Sequence, residues 1–162
     1  VFNGTNWLPL AISCITKNLH VNNFQYPDTT SWVPTVSGAY LHQNKTSQKV
    51  WLPIVLYEGD CIVGYTLFGD AVETTALTLD CKLVRVNHAD PITTTDVAGG
   101  AITQIDADGD FAADATLTAP ETVEPLHQYV LEIEATTADS DTITVMGAQI
   151  LVIHRLNRGS DQ

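Results

Sequence analysis

Short runs of alternating apolar and polar residues, separated by glycine, proline and aspartate corners, are the feature that most constrains the fold of this chain. The clearest example lies within Trp51–Arg85, where residues 77–83 read LTLDCKL and every second side chain is apolar. A period of two is typical of a half-buried β-strand. Gly59–Asp60 and Gly69–Asp70 lie where the chain is expected to reverse, because glycine accepts positive φ angles. The segment therefore predicts three strands joined by two tight corners.

The rest of the chain repeats this pattern, and no stretch shows helical periodicity over more than two turns. Roughly eight short strands with Gly, Pro, Asp and Thr corners predict an all-β fold, an antiparallel β-sandwich of jelly-roll type. The 162 residues favour a single domain with one core. We assign residues 1–31 to an N-terminal strand and anchoring arm, 32–156 to the sandwich core and 157–162 to a polar tail.

Regularity decreases after Arg85, and residues 87–124 differ from the rest of the chain. They are rich in aspartate and contain only brief apolar pieces. A connection of this length without structure of its own is unusual. We therefore expect an irregular acidic insertion at one end of the sandwich, with one or two short strands of its own.

Three details of the strand pattern carry specific predictions. Pro53 has no amide donor, which places its strand at a sheet edge or at a bulge. The apolar phase of the last strand slips by one residue near Gly147, which predicts a β-bulge there. The polar corner at 138–141 separates two strand-like runs and is typical of a hairpin.

The end of the last strand is apolar on both faces, where the sequence reads Ile150, Leu151, Val152 and Ile153. A strand of this kind is expected to be covered on both sides. One cover would be the sandwich core, and a subunit interface could provide the other. These four residues are therefore the candidates for an oligomer interface.

The charge balance excludes some partners. The chain has 7 Lys and Arg against 19 Asp and Glu, a formal net charge of −12. A field of this sign repels nucleic acid and anionic membrane surfaces. No apolar run approaches the ~20 residues that a membrane helix needs. We expect neither a nucleic-acid nor a membrane partner.

The cysteines Cys14, Cys61 and Cys81 are odd in number and lack CxxC spacing. A disulfide-built secreted domain normally has an even set. Each also lies in an apolar strand pattern, where free cysteine behaves as a small hydrophobic residue. Reduced core residues are the favoured interpretation, and a Cys61–Cys81 bridge is the alternative.

The sharpest acidic cluster is formed by Asp106, Asp108 and Asp110 around Gly109. Alternating carboxylates can bind Ca²⁺, which takes six to eight oxygen ligands. The spacing does not match an EF-hand, because the glycine comes early and the distal glutamate is missing. A solvated acidic turn is favoured over a calcium site, and no other cofactor is expected.

No catalytic pattern is present. The five histidines show no metal-ligand spacing, and neither a GxSxG elbow nor a Cys-His signature occurs. Scattered glutamates such as Glu58, Glu73, Glu121 and Glu124 could converge as in a glycosidase, but exposed surface charge explains them better. We assign no catalytic residue and expect a protein that is not an enzyme.

Aromatic residues concentrate in the first third of the chain. Aromatic side chains can stack on sugar rings or fill a sandwich core, and tryptophan is usually well buried. The core or an interface is the favoured interpretation. The candidates for glycan contact are Trp32, Tyr40 and Trp51.

The order of these features resembles that of known viral modules. The carrying residues are the Trp32–Tyr40 lead-in, LPIVLYEGD at 52–60, TLDCKLVRV at 78–86, YVLEI at 129–133 and MGAQILV at 146–152. Together they resemble β-sandwich modules in structural proteins of tailed bacteriophages, such as head decorations, head fibres and tail-fibre tips. The resemblance covers residues 32–156, and the 87–124 segment departs from it most.

The resemblance implies a non-enzymatic virion protein, commonly a homotrimer, that decorates the capsid or forms a fibre or spike. It implies contact with the major capsid protein or another virion protein, and assembly in the bacterial cytoplasm. The alternative function is a glycan- or receptor-binding module that uses exposed aromatic residues or the acidic segment.

Overall fold

The computed structural model describes residues 13–20, 23–25, 31–35, 38–41, 45–138 and 140–154. These ranges form ten β-strands and no α-helix. Among them is no helix long and apolar enough to cross a membrane. The strands are β1 (Ser13–His20), β2 (Trp32–Pro34), β3 (Ala39–Leu41), β4 (Lys45–Ile54), β5 (Cys61–Val72), β6 (Leu77–Asn87), β7 (Thr93–Ile105), β8 (Gly109–Thr122), β9 (His127–Thr137) and β10 (Thr142–His154).

The strands form two antiparallel sheets. Sheet 1 has the order β2-β3-β10-β5-β8, with β1 also paired to β10, and sheet 2 has the order β4-β9-β6-β7. From β4 to β10, every connection except the one between β6 and β7 crosses from one sheet to the other. The predicted all-β, jelly-roll-like antiparallel sandwich is confirmed.

The core lies between the sheets and is filled by alternate residues of each strand. In β9, every second residue from 129 to 137 is buried, and the residues between them are partly exposed. Tyr65 reaches across this core, because its hydroxyl lies 3.1 Å from the carbonyl oxygen of Cys81 and 3.0 Å from that of Gly100. Tyr65 belongs to sheet 1 and the two carbonyls to sheet 2, so this buried hydroxyl joins the sheets.

The prediction of an irregular insertion over residues 87–124 is wrong. The segment contains β7 and β8, two long strands that form one edge of each sheet. An edge strand can contribute few side chains to the core, and in β8 the buried ones are Ala115 and Leu117. Its other positions are mostly exposed, and they carry Asp and Thr. The low apolar content of the segment reflects its edge position.

The corners are only partly as predicted. The turn at Gly59 is confirmed, with a φ of +86°. No corner occurs at Gly69–Asp70, because β5 continues to Val72. The predicted β9–β10 hairpin is also wrong, since β9 belongs to sheet 2 and β10 to sheet 1. Hairpin turns and crossings between sheets use the same residue types, so local composition does not distinguish them.

Two predictions that rest on backbone chemistry are confirmed. The strand that contains Pro53, β4, lies at one edge of sheet 2. The register of β10 against β5 shifts between Val145 and Gly147, as expected for a bulge. At the N-terminal side, β1 pairs with β10 over all eight of its residues. Residues 1–12, and the predicted tail at 157–162, lie outside the described residues.

Cys61 and Cys81 are buried free thiols, on β5 of sheet 1 and β6 of sheet 2. The favoured interpretation as reduced core residues is confirmed for both, and the alternative bridge between them is not formed. The side chain of Cys14 lies outside the described part of the chain. Burial raises the pKa of the Cys81 thiol to about 12, which makes it an unreactive core residue.

Candidate functional site

The three aromatic candidates for glycan contact have different positions. Trp32 is 0% exposed and lies in the core, so its assignment as a glycan contact is corrected. The side chain of Tyr40 falls outside the described residues. Trp51 is half-buried on β4, and its neighbours Val50 and Leu52 point into the core. Its indole therefore lies on the outer face of sheet 2.

Strand register places Trp51 in a row of side chains that crosses sheet 2. Trp51 pairs with Glu132 of β9, Glu132 pairs with Lys82 of β6, and Lys82 pairs with Ala101 of β7. Side chains that are opposite each other on neighbouring strands lie on the same face of a sheet. We call this surface the Trp51 face. It also includes a second, neighbouring row of side chains, and both rows follow from the strand pairing. The first row is Trp51, Glu132, Lys82 and Ala101, and the second is Lys49, Glu134 and Asp80.

Glu132 is the centre of the hydrogen bonds on this face. The indole Nε1 of Trp51 donates to Glu132 Oε2 at 3.0 Å. The ammonium group of Lys49 lies 3.0 Å from Glu132 Oε1 and 3.3 Å from Glu134 Oε2. Lys82 lies 3.4 Å from Glu132 Oε1. These contacts hold the indole and four charged side chains in one arrangement.

Contacts with neighbouring polar and charged groups favour the charged forms of Glu132, Lys49 and Lys82. Partial burial by itself raises the pKa of Glu132, but hydrogen bonds from Lys49 and Trp51 outweigh it, and the pKa is lowered. Hydrogen bonding to Glu132 raises the pKa of Lys49. Hydrogen bonding to Asp96 raises that of Lys82. The face therefore offers fixed carboxylate acceptors and ammonium donors.

A shallow cavity of about 250 Å³ opens on this face beside the ion pairs. Its rim combines carboxylates, one ammonium group and a threonine hydroxyl with apolar atoms of Ala101. Binding sites for small molecules usually combine apolar area with a few polar groups. The residues that line the cavity are Asp80, Cys81, Lys82, Ala101, Ile102, Thr103, Glu132 and Glu134.

The structure does not bring the acidic calcium candidates together as a metal site. Asp106 and Asp108 lie in the turn between β7 and β8, and Asp110 is the second residue of β8. Asp108 Oδ1 accepts a hydrogen bond from the amide of Glu73 at 3.0 Å. Among the described residues, no three His, Cys, Asp or Glu side chains converge in a way that could hold a metal ion.

The structure brings three of the four scattered glutamates to one end of the sandwich. Glu121 pairs with Ile62, and Glu58 and Glu124 flank the hydrogen bond that the Gly59 amide donates to the Val123 carbonyl oxygen. Glu121 Oε1 accepts hydrogen bonds from Arg85 at 2.9 Å and from the hydroxyl of Tyr129 at 2.9 Å. Glu73 lies at the opposite end of β5 from Glu58 and is therefore separated from the other three.

The four interface candidates on β10 divide between the two faces of sheet 1. Ile150 and Val152 are 0% exposed and pack in the core, so they are corrected to core residues. Leu151 points the other way and is 41% exposed. Ile153 is half-buried. The outer face of this strand is thus open to solvent at Leu151.

No family model matches the sequence, and no curated protein matches it. The similarities are to solved structures. One is a structure of the Clostridium thermocellum endo-1,4-β-D-xylanase 10B, which contains the CBM22-1 and GH10 modules in complex with xylohexaose. Its TM-score with this chain is 0.55, and the two sequences are 10% identical. It matches 93% of this chain, which spans 30% of the xylanase chain.

Two further structures have similar scores. A xylan-binding module, CBM15, has a TM-score of 0.53 and 11% identity over 86% of this chain and 97% of that module. A structure of infectious bursal disease virus, Gx strain, has a TM-score of 0.53 and 15% identity over 90% of this chain and 33% of the viral chain. At these identities the similarities define the fold, a β-sandwich shared by carbohydrate-binding modules and a viral protein.

Sequence reasoning missed the network around Glu132. The alternation of Glu132 and Glu134 with the apolar residues of β9 showed that both point away from the core. It did not show which residues face them, because Lys49 and Lys82 come from two other strands.

Proposed function

We propose that this chain is a non-catalytic glycan-binding module whose contact surface is the Trp51 face. The observation that carries the proposal is the match to the xylan-binding module CBM15. It pairs 86% of this chain with 97% of that module, so the two correspond almost from end to end. A module of this kind needs a binding surface but no nucleophile or general base.

The chemistry of the Trp51 face suits a sugar. An indole offers apolar area for the C–H face of a pyranose ring, and the charged groups beside it bind hydroxyls. Glu132 and Glu134 supply acceptors, and Lys49 and Lys82 supply donors. Because the ion pairs position these groups before binding, little side-chain entropy is lost when a sugar displaces water from them.

The test is binding of Trp51→Ala to soluble xylan, measured by affinity electrophoresis, followed by a panel of other soluble polysaccharides. Loss of the stacking surface is expected to weaken binding by about tenfold or more, equivalent to ~1.4 kcal/mol. The matched control is Tyr57→Ala, which removes an aromatic ring that is 70% exposed outside this face. Circular dichroism establishes that both variants are folded.

Unchanged binding by folded Trp51→Ala would place the site elsewhere on the molecule. Failure of the wild-type chain to bind any polysaccharide in the panel would contradict the proposed function itself.

A second candidate function is that of a virion structural component. The viral match covers 90% of this chain, and the sequence resembles sandwich modules of phage structural proteins. In this role the chain would sit in the virion against the capsid or another virion protein, and it could also bind a host glycan. The test is mass spectrometry of virions purified from the source of this sequence. The chain is expected as a stoichiometric component, and absence of the chain from the virions would contradict this function.

A further inference from the structure

The outer face of sheet 1 carries a concentration of exposed apolar side chains. Of the seven large hydrophobic residues that are well exposed in the described chain, three point outward from this sheet: Val72, Met146 and Leu151, at 43%, 45% and 41% exposure. Phe68 is half-buried on the same face. Contiguous exposed apolar area of this kind marks contact surfaces more often than isolated residues do.

Two shallow grooves connect Leu151, Met146 and Phe68 across this surface, and Val72 lies outside both. One groove, of about 330 Å³, is lined by Leu151, Thr16 and Thr66, with the carboxylate of Asp114 on its β8 side. The other, of about 230 Å³, is lined by Met146, Phe68 and Asn18. Gln149 borders both grooves, so they are continuous across β10.

Among the described residues, the half of this face formed by β1 and β10 has no carboxylate. The outward residues of β1 are Thr16, Asn18 and His20, and those of β10 are Thr142, Thr144, Met146, Gln149, Leu151 and Ile153. The carboxylates of sheet 1 that point outward, Asp70, Asp110 and Asp114, lie on β5 and β8. We call the uncharged half the β1/β10 face.

The charge distribution decides which partner fits this surface. Two copies of a chain with a net charge of −12 repel each other wherever their carboxylates meet. The Trp51 face carries Asp80, Glu132 and Glu134, whereas the β1/β10 face lets two copies approach without opposing like charges. It also supplies apolar area, which drives association.

We propose that the β1/β10 face is the contact surface for a second copy of this chain, with Leu151 and Met146 as its apolar anchors. Because sheets 1 and 2 form opposite outer surfaces of the sandwich, this association leaves both Trp51 faces open. The assembly then presents several copies of that face at once, which increases apparent affinity for a polymeric ligand.

The test is sedimentation velocity of the purified chain from about 1 to about 200 µM, with Leu151→Glu and Met146→Glu as variants. The wild type is expected to associate, and each variant to shift association to at least about tenfold higher concentration. The control is Val55→Glu, which places the same charge at a residue that is 78% exposed elsewhere. Thermal unfolding checks that the variants fold. If Leu151→Glu does not fold, Leu151→Ala replaces it as a milder substitution.

A wild type that is monomeric throughout this range would overturn the proposal. An oligomer unaffected by both glutamate variants would overturn it as well, since the contact would then lie elsewhere. Glycan binding is scored separately, with oligosaccharides too short to bridge two subunits. Loss of association therefore leaves the assignment of the Trp51 face unaffected, and loss of binding by Trp51→Ala leaves the assembly unaffected.

Discussion

Asp141 shows how one buried side chain connects two corners of the sandwich. Asp141 is 0% exposed and is the last residue of the connection between β9 and β10. It accepts hydrogen bonds from the backbone amides of Thr74, Thr75 and Ala76 at 2.6, 3.0 and 2.8 Å, and from the Thr74 hydroxyl at 2.7 Å. Burial by itself raises the pKa of Asp141, but these donors outweigh it and lower the pKa to about 2.

This shift predicts an acid-sensitive contribution to stability. An aspartate in the unfolded chain has a pKa of about 3.9, so the contribution is complete above that pH and is lost as the pH falls towards about 2. Asp141→Asn is expected to lower the Tm at pH 7, with the difference from wild type shrinking towards pH 2. Thermal unfolding from pH 7 to pH 2 measures this. The exposed Asp106→Asn is the control, and an equal Tm loss in both variants would contradict the role of Asp141.

At the scale of the element, β5 is a central strand of sheet 1. It lies between β10 and β8, and at Gly69 the neighbouring strands leave no room for a side chain. A Cβ atom at this position would lie 2.3 Å from the carbonyl oxygen of Thr144 and 2.3 Å from the ring of Phe111. Glycine is needed here for space, since the φ angle of Gly69 is not positive.

Gly69→Ala is therefore expected to reduce the free energy of unfolding by roughly 2–4 kcal/mol, because a backbone oxygen cannot move aside without breaking the β5–β10 pairing. Urea denaturation followed by circular dichroism measures this loss. The control is Gly59→Ala, where nothing lies within 4 Å of the added Cβ and only the φ of +86° is unfavourable. We expect a loss of about 1–2 kcal/mol there, and a smaller loss at Gly69 than at Gly59 would contradict the packing argument.

At the scale of the whole molecule, electrostatic repulsion acts against the compact state. The ion pairs of the Trp51 face are local, whereas the net charge of −12 is distributed over the chain. Salt screens both, but partly exposed ion pairs contribute little in water. Salt therefore weakens the repulsion among the excess carboxylates more than it weakens the ion pairs, and its net effect is to stabilise the folded state.

Raising the NaCl concentration from about 10 to about 150 mM shortens the screening length from ~30 to ~8 Å, and we expect the Tm at pH 7 to rise by a few degrees. Scanning calorimetry at low protein concentration measures this without a contribution from association. Near pH 4, where many carboxylates are protonated, the salt effect should shrink. A fall in Tm with salt at pH 7 would show that the local ion pairs outweigh the overall repulsion.

The sequence by itself determined the local character of this protein. The alternation at 77–83, the missing donor of Pro53 and the phase slip at Gly147 each act within one strand, so their consequences could be predicted from neighbouring residues alone. The strand content and the sandwich class follow from the same local periods. The burial of Cys61 and Cys81 follows as well, since each lies in the apolar phase of its strand.

The tertiary structure decided everything that depends on residues distant in the chain. Residues 93–105 and 109–122 form long strands because the neighbouring strands β6 and β5 supply their hydrogen bonds, and their low apolar content did not reveal that. Trp32 fills the core while Trp51 lies on the surface, although both occur in similar strand patterns. The row from Trp51 through Glu132 to Lys82 exists only through strand register. Register is set by packing of the whole core, and for this reason the candidate site could be recognised only in the folded molecule.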